Sequence, residues 1–319
     1  MWSKIPSMSK AMKSVSFFPI GTPGKPWGDS ERATWRATQQ HKRSYQTEVV
    51  RVIEQLAHRF DVQTYGTLDY APDQYSLFAI RNKNWQTERP IVLVTGGVHG
   101  YETSGVHGAL RFLDRHAEHY AQSVNLLVVP CVSPWAYERI HRWNPFAIDP
   151  NRSFHTPSPS AEAAALLELV APLRDRISLH IDLHETTDSD ESEFRPALCA
   201  RDGKTYQPGT IPDGFYLVGD VDNPQLDFQQ AVIAEVAKVT HIAQADAEGQ
   251  IIGSPVVQPG VILYPCKSLG LCAAMTTARF VTTTEVYPDS PRASAEKCNA
   301  AQAAAVCAAI DFLQAHSAD

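Results

Sequence analysis

Cysteine is scarce in this chain. Its 319 residues hold six, at positions 131, 199, 266, 272, 298 and 307, and no Cys-x-x-Cys pair occurs. Six scattered cysteines in a chain of this length are no disulfide framework and read as reduced thiols of a cytoplasmic protein. No apolar stretch approaches the ~20 residues of a membrane span. No apolar h-region follows Lys4, Lys10 and Lys13, so neither a membrane anchor nor a cleaved signal peptide is expected. Lys and Arg form no long run, and 28 of them against 35 acidic residues give a net charge of -7, which argues against a nucleic-acid surface. There is no Gly-x-Ser-x-Gly, so the nucleophile elbow of a serine hydrolase is absent. Internal repeats, low-complexity tracts and a clear linker are lacking as well.

What is present is ordinary soluble composition, 44% hydrophobic and 20% charged. The length suits one large α/β domain or two small ones. Residues 1–30 are rich in Pro, Gly, Ser and Lys and are expected to form an irregular N-terminal arm, leaving 31–319 as a single domain. The stretch from Ser30 to Phe60 reads as helical, because Val49, Ile53, Leu56 and Phe60 recur at helical spacing. Strands are expected at 75–81, 91–95, 124–131, 177–183, 215–219, 256–263 and 280–286. Helices are expected near 102–118, 160–171, 225–240 and 292–315. The runs 91–95 and 124–131 are continuously apolar, as in strands covered on both faces. The alternation predicts an α/β fold with a mostly parallel or mixed central sheet and helices on both faces.

Candidate metal ligands lie at strand ends. Strand 91–95 runs through Gly96-Gly97 into His99-Gly-Tyr-Glu102 and then a helix. An imidazole and a carboxylate three residues apart at such a junction can reach one ion. A catalytic zinc usually takes a third protein ligand from elsewhere. On strand 177–183, His180, Asp182 and His184 share one face. His184 stands at the C-terminal end, the edge of an open α/β sheet where ligands bind. His180 is deeper and has at most a supporting role.

Together with later segments, these pieces resemble the zinc carboxypeptidase superfamily, which includes the carboxypeptidase A type enzymes and the aspartoacylase and succinylglutamate desuccinylase branch. The ordered boxes are His99-Gly-Tyr-Glu102, Arg139-Ile-His-Arg142, Asp149-Pro-Asn151-Arg152, Asp182-Leu-His184 and Thr284-Glu285. The resemblance spans roughly residues 75 to 290, and residues 1–60 have no counterpart in it. It implies one Zn2+ per chain held by His99, Glu102 and His184, with Asp149 orienting the ring of His99. It implies an oxyanion-stabilising role for Arg142, with Arg139 as the other candidate because this loop departs from the family spacing. Asn151 and Arg152 would grip a substrate carboxylate. Glu285 would be the general base. Tyr264 is matched to the Tyr upstream of the catalytic Glu in the carboxypeptidase branch.

The resemblance therefore implies hydrolysis of an amide next to a free carboxylate. The substrate is expected to be a small peptide, as for a carboxypeptidase, with an N-acyl amino acid, as for an amidohydrolase of the aspartoacylase or succinylglutamate desuccinylase type, as the alternative. A non-catalytic binding protein retaining the fold is the alternative from another class. Asp182-Leu-His-Glu-Thr-Thr favours the aspartoacylase branch. Asp188, Asp190, Glu191 and Glu193 favour neutral or basic peptides if they form a negative rim. The ordinary reading of such a stretch is a solvated loop, and a further functional reading is a set of carboxylates for a second metal.

Overall fold

The computed structural model of the protein describes residues 18–316. The expected arm falls partly on residues 1–17, outside the described residues. Its described end is held down by Trp27, which is buried with its ring edge-on to Trp143.

Ten strands are present among the described residues: β1 Phe60–Tyr70, β2 Asp73–Asn82, β3 Ile91–Gly96, β4 Asn125–Val129, β5 Ile177–Glu185, β6 Tyr216–Asp220, β7 Gln250–Ile251, β8 Ser254–Gln258, β9 Val261–Tyr264 and β10 Phe280–Val286. They join in one sheet in the order β1-β2-β4-β3-β5-β10-β6-β9-β8-β7. The centre, β4-β3-β5-β10, is parallel, and antiparallel pairs flank it on both sides, so the sheet is mixed.

The apolar runs explain the centre. Along β3, Val92 and Val94 face one core cluster while Ile91 and Leu93 face another, so both surfaces of the strand are buried. On the first face lie the helices Thr103–Arg115 and Ala295–Ala315. The second helix buries Val306, Ile310 and Leu313, and removing such a side chain from water stabilises by about 1.5–3 kcal/mol as an upper estimate. On the other face, helix Ala161–Val170 buries Ala163 and Leu166 against Leu93 and Leu127. Among the described residues no helix is long and apolar enough to cross a membrane.

Two expectations need correction. The stretch 256–263 is two strands rather than one, because Pro259-Gly260 turns the chain between β8 and β9, with Gly260 at φ +72°. The region Ser30 to Phe60 is helical only at Asp29–Thr38 and Gln46–Leu56, and Phe60 already opens β1. β1 escaped the sequence reading because it is an edge strand, where polar residues such as Gln63 and Thr64 face outward.

Candidate metal centre

β3 and β5 are parallel neighbours with Gly96 opposite Leu183, so the chain leaving β3 emerges beside the end of β5. Gly97 adopts φ +60° to make that exit. Gly100 must be glycine for contact reasons, since a Cβ there would lie 2.0 Å from the carbonyl carbon of Ala136. The turn is thereby pressed against the helix Pro134–Arg139, with His99 and Glu102 on its inner side.

His99, Glu102 and His184 are each at most 2% exposed, and their candidate ligand atoms lie within 4.8 Å of one another. Nδ1 of His99 is 2.7 Å from Glu102 Oε1, and Nδ1 of His184 is 2.6 Å from Glu102 Oε2. The outer nitrogens are both taken by carboxylates. His99 Nε2 donates to Asp149 Oδ1 at 2.9 Å, and His184 Nε2 donates to Asp182 Oδ2 at 2.7 Å. Those two bonds place a hydrogen on each Nε2, so in the neutral rings both Nδ1 lone pairs face the Glu102 carboxylate. With both rings neutral, three acceptors would converge with no donor between them, and in the metal-free protein a proton on His184 lies on its contact with Glu102. Glu102 Oε2 is buried without a hydrogen-bond partner despite its short approach to His184. A buried acceptor left in this way needs a cation, and the donor set fits a divalent metal with two imidazoles and one carboxylate. In the metal-free state, burial works against ionisation of Glu102, but positive charge on the flanking imidazoles and the hydrogen bonds they then donate outweigh it and hold the carboxyl down at about 2.

Behind these three residues lies a second set of bonds. Asp149 spans His99 and Arg142, whose Nε donates to Asp149 Oδ2 at 3.0 Å. Arg142 also reaches the Tyr101 hydroxyl at 3.3 Å, and Tyr101 donates to Asp190 at 2.9 Å. His180 is behind the site. It donates to Thr95 Oγ1 at 3.1 Å, which donates to Asp182 Oδ1 at 2.6 Å, so the row ends on His184.

Glu285 is the residue of β10 directly beside His184 in the parallel register. Thr186 Oγ1 donates to its Oε2 at 2.8 Å, and Thr186 in turn pairs with the Tyr216 hydroxyl at 2.6 Å. Burial pushes the Glu285 carboxyl up to about 8, and the charge of Glu102 adds to that, while His184 and Thr186 pull the other way.

These groups line a pocket of about 220 Å³ that also contains Asn151, Arg152 and Tyr264. Asn151 Oδ1 is used by the Cys272 amide at 2.7 Å, which leaves its NH2 group for other partners. Arg152 has no carboxylate within ion-pair reach among the described residues, and its Nη1 donates to the Asn151 carbonyl at 2.7 Å. Arg139 is not at the site. It is buried in a separate network with Asp73, Tyr75 and His41. Ile140, at φ +51°, ends the helix after Arg139 and redirects the chain, so Arg142 points into the pocket.

The acidic stretch does not form a negative rim. Asp188 accepts from Tyr287, Glu193 faces His141 at 3.5 Å, and Glu191 is taken up by Arg195, Tyr206 and the Gly209 amide. Asp190 alone of the four lines the pocket, whereas Arg195 and Arg201 line it from the helix Arg195–Arg201. Among the described residues the only grouping with metal-ligand geometry is His99, Glu102 and His184, so nothing supports a second metal.

The sequence reading left several supporting groups unassigned. Asp182, on the face of β5 that carries His184, holds that ring through its Nε2. Glu185 accepts from the backbone amides of Thr103 and Ser104 at 3.0 and 2.7 Å, closing the start of the helix that follows Glu102. Gln302 donates to the His184 carbonyl at 2.8 Å and accepts from Thr284 at 2.5 Å. No local spacing signals Gln302, because its partners lie on strands, His184 more than a hundred residues away and Thr284 on β10.

Residues 88–205 match the family model of the Succinylglutamate desuccinylase/Aspartoacylase catalytic domain. That segment contains the three converging residues together with Arg142, Asp149, Asn151 and Arg152. The chain has the fold of the zinc carboxypeptidase superfamily. Solved structures with this carboxypeptidase-like fold include a candidate metallopeptidase from Shewanella denitrificans OS217, 20% identical, covering 82% of this chain and 88% of its own at a TM-score of 0.62. A second, from Shewanella amazonensis SB2B, is 22% identical over 83% of this chain and 90% of its own, at 0.61. Carboxypeptidase A from Helicoverpa armigera is 12% identical over 90% of this chain and 79% of its own, at 0.57. No curated protein matches the chain by sequence.

Proposed function

We propose that this protein is a zinc-dependent hydrolase that cleaves an amide bond next to a free carboxylate. The observation that carries the reading is the convergence of two imidazole lone pairs and a buried carboxylate beside Glu285. A set of two histidines and one glutamate suits zinc, leaving a position open to substrate or water. Zn2+ there supplies Lewis acidity towards a carbonyl oxygen and acidifies water.

The residues of the chain supply the remainder. Thr186 occupies Glu285 Oε2, so Oε1 is the oxygen that accepts a proton from the attacking water and passes it to the leaving nitrogen. Arg142, fixed between Asp149 and Tyr101, bears on the oxygen that becomes negative as the carbonyl is attacked. Arg152 and the NH2 of Asn151 take the free carboxylate, a planar anion suited to a guanidinium. Tyr264 is part of the wall on the substrate side.

A C-terminally free peptide and an N-acyl amino acid both satisfy this chemistry. The carboxypeptidase-like overall fold favours the first. The family-model match and the arginines at the pocket, where a negative rim was expected, favour the second. Metal analysis of the purified protein, followed by a panel of unblocked dipeptides and of N-acetyl and N-succinyl amino acids, tests both. Zinc at one per chain with release from either set is expected. Absence of zinc, or turnover that survives its complete removal, overturns the proposal.

A further inference from the structure

The hairpin β7–β8 is closed by a two-residue turn, Ile252-Gly253, because Ile251 pairs with Ser254. Both turn residues have positive φ, +45° for Ile252 and +78° for Gly253. That is the geometry in which Asn-Gly or Asp-Gly is favoured at such turns. A β-branched residue is poorly suited to it, since its Cβ crowds the following carbonyl. Ile140 shares the conformation but has a local reason, as it terminates a helix, and it does not line the pocket.

Ile252 does line it. Ile252 also lines an open outer hollow that includes Asp213 and Gln250, so it stands where the two cavities meet. It packs with Tyr264 against Tyr216, Val218 and Ile262. Ile252 thereby adds to the apolar part of a lining that also holds Val218, Leu271, Phe194 and Leu198 among the candidate metal ligands and arginines. Strain held at a position where a polar residue would relieve it marks a side chain kept for what it touches.

We infer that Ile252 is a specificity-determining residue that selects substrates with an apolar group seated against it. The inference rests on the proposed reading of the pocket as a substrate site. Contact with the isobutyl or alkyl part of a substrate removes apolar surface from water on both partners, and a larger apolar group gains more. An Asn at 252 would relax the turn and remove that surface.

The experiment uses the full-length, zinc-loaded protein and two matched ligand pairs, N-acetylleucine with N-acetylalanine and N-hexanoylglycine with N-acetylglycine. Binding is measured by calorimetry and hydrolysis by amine release, for wild type, Ile252→Asn and Ile252→Gly. In at least one pair the wild type should bind the larger member about 10-fold or more tighter, and both variants should lose that preference. Ile252→Asn should melt no lower than wild type. Equal discrimination in wild type and variants, no discrimination in wild type, or a marked fall in melting temperature for Ile252→Asn overturns the inference. Because binding is read separately, a wild type that discriminates without hydrolysing any ligand refutes the proposed hydrolase and leaves the role of Ile252 standing.

Discussion

Asp182 Oδ2 sits 2.7 Å from His184 Nε2, two residues back on the same face of β5. Asp149 does the same for His99 from a different part of the chain, at 2.9 Å. Each carboxylate fixes a ring so that Nδ1 faces inward. Asp182→Ala and Asp149→Ala should each weaken zinc binding by roughly 10- to 100-fold while the protein stays folded. Competition titration against a chelator measures this, with circular dichroism as the control. Unchanged affinity in both variants would show that the rings are held by something else.

The proton on His184 should compete with the metal. Burial opposes charge on this ring, but Asp182 and Glu102 outweigh it and raise its pKa well above the ordinary imidazole range in the metal-free protein. Below that raised pKa the metal must displace a proton, so affinity should climb with pH until the pKa is passed and fall towards acid. Calorimetry in two buffers of different ionisation heat should detect the released proton. His184→Ala should lose the metal altogether, and full zinc occupancy in that variant would remove His184 from the ligand set.

Glu285 must be ionised to act as a base. In the metal-free protein its carboxyl holds its proton up to about 8, mainly because it is buried. A bound dication replaces the proton on His184 with a larger positive charge beside Glu285, so the rising acid limb of kcat/KM against pH should lie below that value. Glu285→Gln should keep zinc and lose about two to four orders of magnitude in turnover. Thr186→Val should lower kcat with zinc retained, and Thr186→Ser should restore it. Equal turnover in the Val and Ser variants would show that the hydroxyl does not orient the base.

Glu185 should matter for stability. Its loss in Glu185→Ala strands the amides of Thr103 and Ser104 at a helix start, costing about 1–3 kcal/mol for each buried donor left unpaired. Burial raises its carboxyl from 4.5 to about 7, so folding favours its protonated form. Its contribution is then present in full below 4.5 and diminishes as pH rises through 7. Urea unfolding across that range should show the decline in wild type and a flatter profile in Glu185→Gln.

The residues that converge were legible because each sits in a local pattern. Gly-Gly followed by His-x-x-Glu marks a strand exit, and Asp-Leu-His alternates along a strand end. Strands β3 and β4 were legible as unbroken apolar runs, and β10 matches its expected span, 280–286. The rest depended on contacts that spacing does not encode. Arg139 and Arg142 are alike in sequence and part company only because Ile140 turns the backbone. The acidic stretch looked like a solvated or rim charge run, yet its partners Tyr206, His141 and Tyr287 arrive from three other segments. Gln302 resembles any polar residue on an amphipathic helix until the helix is laid across β5 and β10.

The order of strands gives the molecule two thermal thresholds. β5 and β10 are neighbours in the middle of the sheet, with partners on both sides. Their amides should exchange with solvent only when the sheet opens around them. Ile252 rides on β7–β8 at the far margin, where β7 pairs with β8 alone and few bonds resist fraying. As temperature rises, the wall that selects the substrate therefore loosens before the strands that carry His184 and Glu285 do. A warmed sample would become less choosy before it became inactive.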